Sequence, residues 1–168
     1  MGSDLNKARK DILELLKTNC ILVVLRGLPG SGKTTFAKNL LDDSMEITLS
    51  GLTRCSADDY FLRPDGTYDW NPKYLKNAHE YCFKQVEEAM SLDNMSWLGP
   101  CDLIVLDNTN IVRSHYKKYL DLAEQMNYTA VEVIVGSFDD DFIRQCAERN
   151  THGVSLETIE KMAKKFEV

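Results

Sequence analysis

The chain has 168 residues, 43% of them hydrophobic and 27% charged, which is the balance of one ordinary globular domain and excludes a disordered or fibrous protein. Its 20 Lys and Arg against 26 Asp and Glu give a formal net charge of −6 at pH 7. This acidity excludes a global positive field that would attract nucleic acid, so any such contact must be a local patch. We expect a single domain over residues 1–168.

The five cysteines are widely spaced and include no CxxC pair, so they predict neither a disulfide framework nor a zinc site. The longest apolar run, residues 21–25, is far shorter than the roughly 20 residues of a membrane span. The amino terminus also lacks the apolar core of a signal peptide. We therefore predict a protein of the reducing cytoplasm or nucleus that makes no membrane contact.

The predicted elements begin with a helix, because residues 4–17 carry Leu and Ile at helical spacing. Four later segments are predicted as buried strands: Ile21–Arg26, Thr53–Ala57, Leu103–Asp107 and Ala130–Val135. Helical patterns separate them, over residues 33–42, over residues 72–90 and around Tyr116, Leu120, Ala123 and Met126. This alternation favours an α/β fold of three layers, with helices on both faces of a mostly parallel sheet of four or five strands.

The carboxyl end changes character, because residues 139–149 and 155–166 are two helical patterns with no strand between them. Ser155 is the expected N-cap of the second helix. We predict a helical hairpin here. Two polar stretches, Asp42–Leu52 and Ser91–Pro100, are predicted as loops or short edge elements.

The strongest motif is GLPGSGKT at residues 27–34, which satisfies GxxxxGK[ST] and lies between an apolar strand and a helix. In that setting the backbone N–H groups face phosphate oxygens, Lys33 reaches the β and γ phosphates, and the Thr34 hydroxyl ligates Mg²⁺. The flanking strand and helix disfavour the alternative, a glycine turn with an exposed lysine. We predict an ATP and Mg²⁺ site whose phosphate-binding residues are Gly27, Gly30, Ser31, Gly32, Lys33, Thr34 and Thr35.

A second candidate position is Asp107, which ends an apolar strand and has the form of a Walker B aspartate. There it would hold a water of the Mg²⁺ shell, although an aspartate that caps the next turn fits the same pattern. The nearby Asn110 is either a turn residue or a hydrogen-bond donor to substrate.

A third candidate is the acid pair Asp58 and Asp59, which follows the second strand. In an open α/β sheet this edge opens onto the ligand crevice, where a carboxylate can take the proton of an acceptor hydroxyl. Because neighbouring side chains at a strand end point to opposite sides, we expect only one of the two acids to face the acceptor as its base. The alternative is a solvated turn.

Four motifs occur in order: RGLPGSGKTT at 26–35, SADDY at 56–60, LDNTN at 106–110 and RNTHGV at 149–154. Together they resemble the polynucleotide-kinase-like group of P-loop kinases over residues 21–166. The resemblance implies a P-loop NTPase fold with a lid over residues 139–166, and transfer of the γ-phosphate of ATP to a hydroxyl, first of all the 5′-OH of RNA or DNA. The alternatives are a small-molecule or nucleoside kinase and a nucleotide-binding interaction module with little activity.

The resemblance also implies residue roles. Lys33 and Thr34 match the catalytic pair of the phosphate loop, Asp58 matches the general base, and Asp107 matches the Walker B acid. Arg149 matches the lid arginine that contacts the transferred phosphate. Arg144 is its rival, because about one helical turn separates the two arginines, and each is otherwise a surface ion-pair residue.

The acceptor side departs from the phage member of this group. The phage enzyme has an arginine two residues after the acid pair, whereas Phe61 and Leu62 stand there in this chain, with Arg63 slightly beyond. Tyr68 and Trp70 either form a wall on which an acceptor base stacks or are buried against the next helix. His152 either touches phosphate or belongs only to the hairpin turn.

Overall fold

The computed structural model describes residues 2–48, 50–91 and 100–167. In these ranges the centre of the fold is a sheet in the order β2-β3-β1-β4. Its strands are β1 (Ile21–Arg26), β2 (Leu52–Cys55), β3 (Leu103–Asp107) and β4 (Thr129–Ile134), all paired in parallel. Every residue of β1 and β3 is buried, which explains their near-continuous apolar sequences.

Helices cover both faces of the sheet. The covering helices are α1 (Gly2–Leu16), α2 (Lys33–Ser44), α3 (Leu75–Met90) and α4 (Arg113–Gln125), and two further helices follow, α5 (Asp140–Arg149) and α6 (Leu156–Lys164). In β1, Leu22 and Val24 join an apolar cluster with α3 and α4, whereas Val23 and Leu25 join one with α1 and α2. The predicted α/β/α architecture with a parallel sheet is thus confirmed.

The predicted boundaries differ from the structure mainly around the second strand. β2 ends at Cys55 rather than at Ala57, because the Ser56 hydroxyl accepts the Asp58 N–H and caps a short 3₁₀ helix, Ala57–Phe61. The helix predicted from residue 72 begins as a 3₁₀ turn, Pro72–Tyr74, before α3. The predicted loop Ser91–Pro100 lies almost wholly outside the described residues.

The predicted hairpin is present as α5 and α6, and their N-caps are Asp139 and Ser155. The hairpin packs on the loop after β1 through an apolar cluster of Leu28, Ile143, Cys146 and Ile159. A span long and apolar enough to cross a membrane does not occur among the helices of the described ranges.

Beyond α6, the chain returns to the end of the sheet. The backbone N–H of Glu167 donates to Ile111 O at 2.9 Å, and the Phe166 ring lies 4.8 Å from the guanidinium of the buried Arg26. Since Arg26 is the last residue of β1, the segment that follows the hairpin lies close to the start of the loop after β1.

Candidate functional site

Parallel strands bring their carboxyl ends to one edge of the sheet, and the predicted motifs follow β1, β2 and β3 at that edge. The loop after β1 turns into α2 at Gly32, which has φ 99° and no side-chain cap. The first-turn N–H groups of a helix have no intrahelical partner, so an uncapped start leaves them free for an anion. Thr35, in this first turn, is exposed.

The same loop requires glycine at residue 30 because α5 lies against it. Gly30 has φ 76°, and a Cβ at this position would lie 2.1 Å from the backbone oxygen of Cys146. The candidate lid therefore contacts the phosphate loop directly through the backbones of both segments.

Lys33 is the main positive charge of the loop. Its Nζ donates to Leu28 O at 2.7 Å and to Gly27 O at 3.1 Å, which holds the ammonium group across the loop. Burial lowers the pKa of Lys33, and the charges of Asp107 and Asp58 oppose this shift. The hydroxyl of Ser31 is buried and finds no hydrogen-bond partner among the described residues. An ammonium, an orphaned hydroxyl and an uncapped helix together fit a phosphate chain.

Thr34 and Asp107 meet because β1 and β3 are neighbours, with Leu25 beside Asp107 in the register. The Thr34 hydroxyl donates to Asp107 Oδ2 at 2.8 Å, and the Asp107 side chain is only 3% exposed. In the described part of the chain, no group of three or more His, Cys, Asp or Glu side chains could hold a metal alone. One hydroxyl and one carboxylate nevertheless fit Mg²⁺, which usually completes its shell with waters and substrate phosphates.

An arginine that the sequence analysis missed completes this edge. Arg54 on β2 donates from Nη2 to Asp59 Oδ1 at 2.6 Å and from Nη1 to Asp107 Oδ2 at 3.2 Å. One guanidinium thus joins the acid that ends β3 to one of the two acids that follow β2. The only signal for Arg54 in the sequence was a charged residue within a predicted strand. The fold places that strand beside the buried strand β3 and against a layer of helices.

The acid pair separates as predicted, but for a different reason. Asp58 and Asp59 lie in a 3₁₀ turn rather than at a strand end, so alternation along a strand does not direct them. The Asp59 side chain is 27% exposed and bound to Arg54, whereas Asp58 is 52% exposed. Only Asp58 therefore presents its carboxylate to the open side of the site.

Asp58 has two aromatic neighbours. The Tyr68 hydroxyl donates to Asp58 Oδ1 at 3.2 Å, and His152 Nε2 lies 3.8 Å from Oδ2. Burial, together with the adjacent carboxylate, raises the pKa of Tyr68, so its phenol remains the donor. The tip of the hairpin thus already lies against the segment that carries Asp58.

The two candidate lid arginines are not in contact with this group of acids. Within the described residues, Arg149 donates to Gln145 Oε1 at 2.7 Å and Arg144 to Asp141 Oδ1 at 3.3 Å, both on their own helix. Both side chains are therefore held on the surface of α5 in this state.

Two open alternatives are resolved by the structure. Asn110 has φ 46°, is buried and donates to Leu25 O at 2.8 Å, so it is a turn residue that supports the loop. Trp70 is 53% exposed and is not buried against the following helix, whereas Tyr68 is half-buried and packs against the apolar cluster that includes α3.

A parallel sheet of order 2-3-1-4, a phosphate loop after its first strand and a threonine bonded to the aspartate that ends its third strand define a nucleotide-binding P-loop NTPase. Within that class, residues 22–168 match the AAA_33 family, described as an AAA domain. The chain belongs to this family.

Similar proteins are long chains that contain a comparable segment. Human NEDD4-binding protein 2 is 35% identical over 147 residues, which are 88% of this chain and 8% of that protein. Mouse YLP motif-containing protein 1 is 31% identical over 88% of this chain and 11% of its own length. Rat 2′,3′-cyclic-nucleotide 3′-phosphodiesterase is 28% identical over 84% of this chain and 30% of its own length. The chain thus spans less than a third of each of these relatives.

Two solved structures share the fold. Kti12 from Chaetomium thermophilum, in complex with ADP-AlF3, aligns with a TM-score of 0.61 at 17% identity and covers 88% of this chain and 80% of its own. APE1195 aligns with a TM-score of 0.53 at 20% identity over 76% of this chain and 69% of its own. At these identities the likeness concerns the fold.

Proposed function

We propose that this chain is an ATP-dependent kinase that transfers the γ-phosphate to a hydroxyl acceptor, and that this acceptor is the 5′-OH of a polynucleotide. The observation that carries the proposal is Asp58, an exposed carboxylate at the same sheet edge as Lys33 and the Thr34–Asp107 pair. A protein that only bound nucleotide would have no use for such a base. In this proposal residues 1–168 act as one kinase domain.

The phosphate loop binds and orients ATP. Its N–H groups and Lys33 hold the phosphate chain, while Thr34 and Asp107 are the side chains that would hold Mg²⁺. When bound, Mg²⁺ neutralises the charge of the β and γ phosphates. The protein's contribution at this half of the site is therefore positioning and charge stabilisation.

Asp58 acts on the acceptor. It accepts a hydrogen bond from the acceptor hydroxyl and then takes its proton as the oxygen forms a bond to the γ-phosphorus. The bond between the γ-phosphorus and the β–γ bridging oxygen breaks, and ADP leaves with those electrons. Tyr68 keeps the Asp58 carboxylate oriented during this step by donating to Oδ1.

Residues 139–166 are the proposed lid. They form a helical hairpin that touches the phosphate loop at Gly30 and the Asp58 segment at His152. On closure the lid would exclude water and bring an arginine to the transferred phosphate. Arg149 is proposed for this role with Arg144 as the rival, and both are exposed on α5.

Exposed aromatic residues in the segment after Asp58 and on α3 support the proposal of a nucleic-acid acceptor. Exposed aromatic side chains follow the acid pair, with 39% exposure at Tyr60, 53% at Trp70, 51% at Tyr74 and 39% at Tyr81. The Tyr60 and Tyr81 rings lie 5.8 Å apart. Unstacked bases bind to such rings without regard to sequence. Arg63, in contrast, is paired with Asp69, so stacking is proposed to dominate over phosphate contacts.

The test is transfer of labelled γ-phosphate from ATP with Mg²⁺ to a panel of 5′-hydroxyl RNA and DNA oligonucleotides, nucleosides and sugars. We expect labelled oligonucleotides and no label on the same oligonucleotides carrying a 5′-phosphate. If only nucleosides or sugars are labelled, the acceptor is a small molecule and not a polynucleotide. ATP binding without transfer to any acceptor would favour an interaction module instead.

A further inference from the structure

Three carboxylates crowd one edge of the site, and they differ sharply in environment. The side-chain exposure is 52% for Asp58, 27% for Asp59 and 3% for Asp107. Three negative charges near a nucleotide's phosphates would repel it, and they would also compete for the acceptor proton and for a metal ion. Some feature of the chain must assign each carboxylate a separate task.

Arg54 is the cation that makes this distinction. Its two terminal nitrogens reach different acids, Asp59 at 2.6 Å and Asp107 at 3.2 Å, and neither reaches Asp58. A planar guanidinium can bridge two carboxylates in fixed directions, which a lysine ammonium cannot do. The bridge is anchored on the sheet, because Arg54 pairs with Val105 in the β2–β3 register.

One end of this bridge lies on Oδ2 of Asp107, the carboxylate oxygen that also contacts Thr34. Arg54 Nη1 and the Thr34 hydroxyl both donate to Oδ2 of Asp107. Arg54 therefore fixes one carboxylate oxygen beside the Thr34 hydroxyl. At its other end it compensates Asp59, which would otherwise be a second free carboxylate next to Asp58.

We propose that Arg54 is a positioning residue that sorts the three acids of this site: it aligns Asp107 with Thr34, withdraws Asp59 by compensating its charge, and leaves Asp58, the one of the three without an arginine partner, for the acceptor. The proposal rests on the kinase function above for the role of Asp58. Its first two parts concern ATP and Mg²⁺ binding and do not depend on the acceptor.

The proposal predicts a particular dependence between Arg54 and Asp59. Arg54→Gln removes the guanidinium and leaves the Asp59 carboxylate uncompensated near Asp107 and the nucleotide phosphates. Asp59→Asn then removes that unwanted charge. If Arg54 acts on Asp59 through charge, the second change repairs part of the loss in ATP binding, whereas for a merely structural contact the loss and its repair would appear in the melting temperature and not in ATP binding.

The experiment compares the wild-type protein, Arg54→Gln, Asp59→Asn, the double variant and Arg54→Lys. ATP binding is measured by calorimetry, with EDTA and across a series of Mg²⁺ concentrations, and thermal melting without nucleotide reports folding. We expect Arg54→Gln to weaken ATP binding about tenfold and to raise the Mg²⁺ requirement, as loss of a charge-assisted bond in a partly buried site does. The double variant should recover to within about threefold of wild type, the residual being the lost bond to Asp107.

Arg54→Lys keeps the positive charge but lacks the two terminal nitrogens of the guanidinium, so its affinity for ATP should lie between those of wild type and Arg54→Gln. If Arg54→Gln fails to fold, Arg54→Lys provides the test. Equal binding by wild type and a folded Arg54→Gln would overturn the proposal, as would a folded double variant no better than Arg54→Gln. If the wild-type protein phosphorylates no acceptor, the kinase function fails while these binding curves still decide the role of Arg54. If the wild-type protein does transfer phosphate, Arg54→Gln should lower kcat by a larger factor than it raises the KM for the acceptor.

Discussion

The two halves of this site are built differently. On the nucleotide side, Lys33 is 8% and Asp107 4% exposed, and each is hydrogen-bonded to neighbouring parts of the fold. On the acceptor side, Asp58 and Trp70 are more than half exposed and lie on segments outside the sheet. Nucleotide binding is thus a property of the sheet and its loops, while the proposed acceptor side consists of surface side chains that can change without disturbing the core.

The largest expected effect lies on the nucleotide side. Lys33→Ala removes the loop's ammonium group, and turnover should fall about a thousandfold because charge stabilisation is the main catalytic contribution in phosphoryl transfer. Initial rates at saturating ATP measure it. Lys38→Ala, an exposed lysine on the same helix, is the matched control and should keep full activity. Unchanged turnover in Lys33→Ala contradicts the assignment of the loop.

The next effect separates the two proposed lid arginines. Arg149→Gln should lower kcat by about a hundredfold, since an arginine that reaches the transferred phosphate can supply that much or more. Arg144→Gln should change kcat by less than about threefold, because its role would be the ion pair with Asp141 on an exposed helix face, a weak interaction. Single-turnover rates at saturating ATP compare the variants. The reverse ranking would assign the lid role to Arg144.

A smaller effect tests the contact between lid and loop. Gly30→Ala places a Cβ against the α5 backbone in addition to straining a positive φ, so it should lower the free energy of unfolding by about 2 kcal/mol or more. Gly66→Ala is the matched control, because Gly66 has φ 82° and a Cβ added there would meet no heavy atom within 4 Å. It should cost about 1 kcal/mol, the strain alone. Urea unfolding measures both, and equal losses would mean that α5 does not press on the loop.

The nucleotide half was predictable because its signals are local and repeated. The apolar runs of β1 and β3 gave the correct strand boundaries, and glycines between β1 and α2 that are followed by Lys33 at the start of α2 are typical of a phosphate-binding loop. Adjacent parallel strands then place Asp107 beside Thr34.

The acceptor half was less predictable because its geometry depends on contacts between distant segments. Ser56 caps a 3₁₀ turn that ends β2 early, and this turn, rather than strand alternation, directs Asp58 and Asp59 apart. Arg54 was missed because a single arginine on a short strand has the same sequence pattern as a solvent-exposed residue. Its role is evident only in the folded structure, where β2 pairs with β3 and the carboxylates of Asp59 and Asp107 both contact its guanidinium.

The central claim, that this chain is a kinase with Asp58 as its base, is tested most directly by phosphate transfer in Asp58→Asn and Asp59→Asn with the best acceptor of the panel. Both variants keep the shape of the side chain and remove its charge. Asp58→Asn should bind ATP normally while transfer falls by about two to four powers of ten, the usual share of a general base, and Asp59→Asn should lose far less. Transfer that survives Asp58→Asn but is abolished in Asp59→Asn would contradict the account.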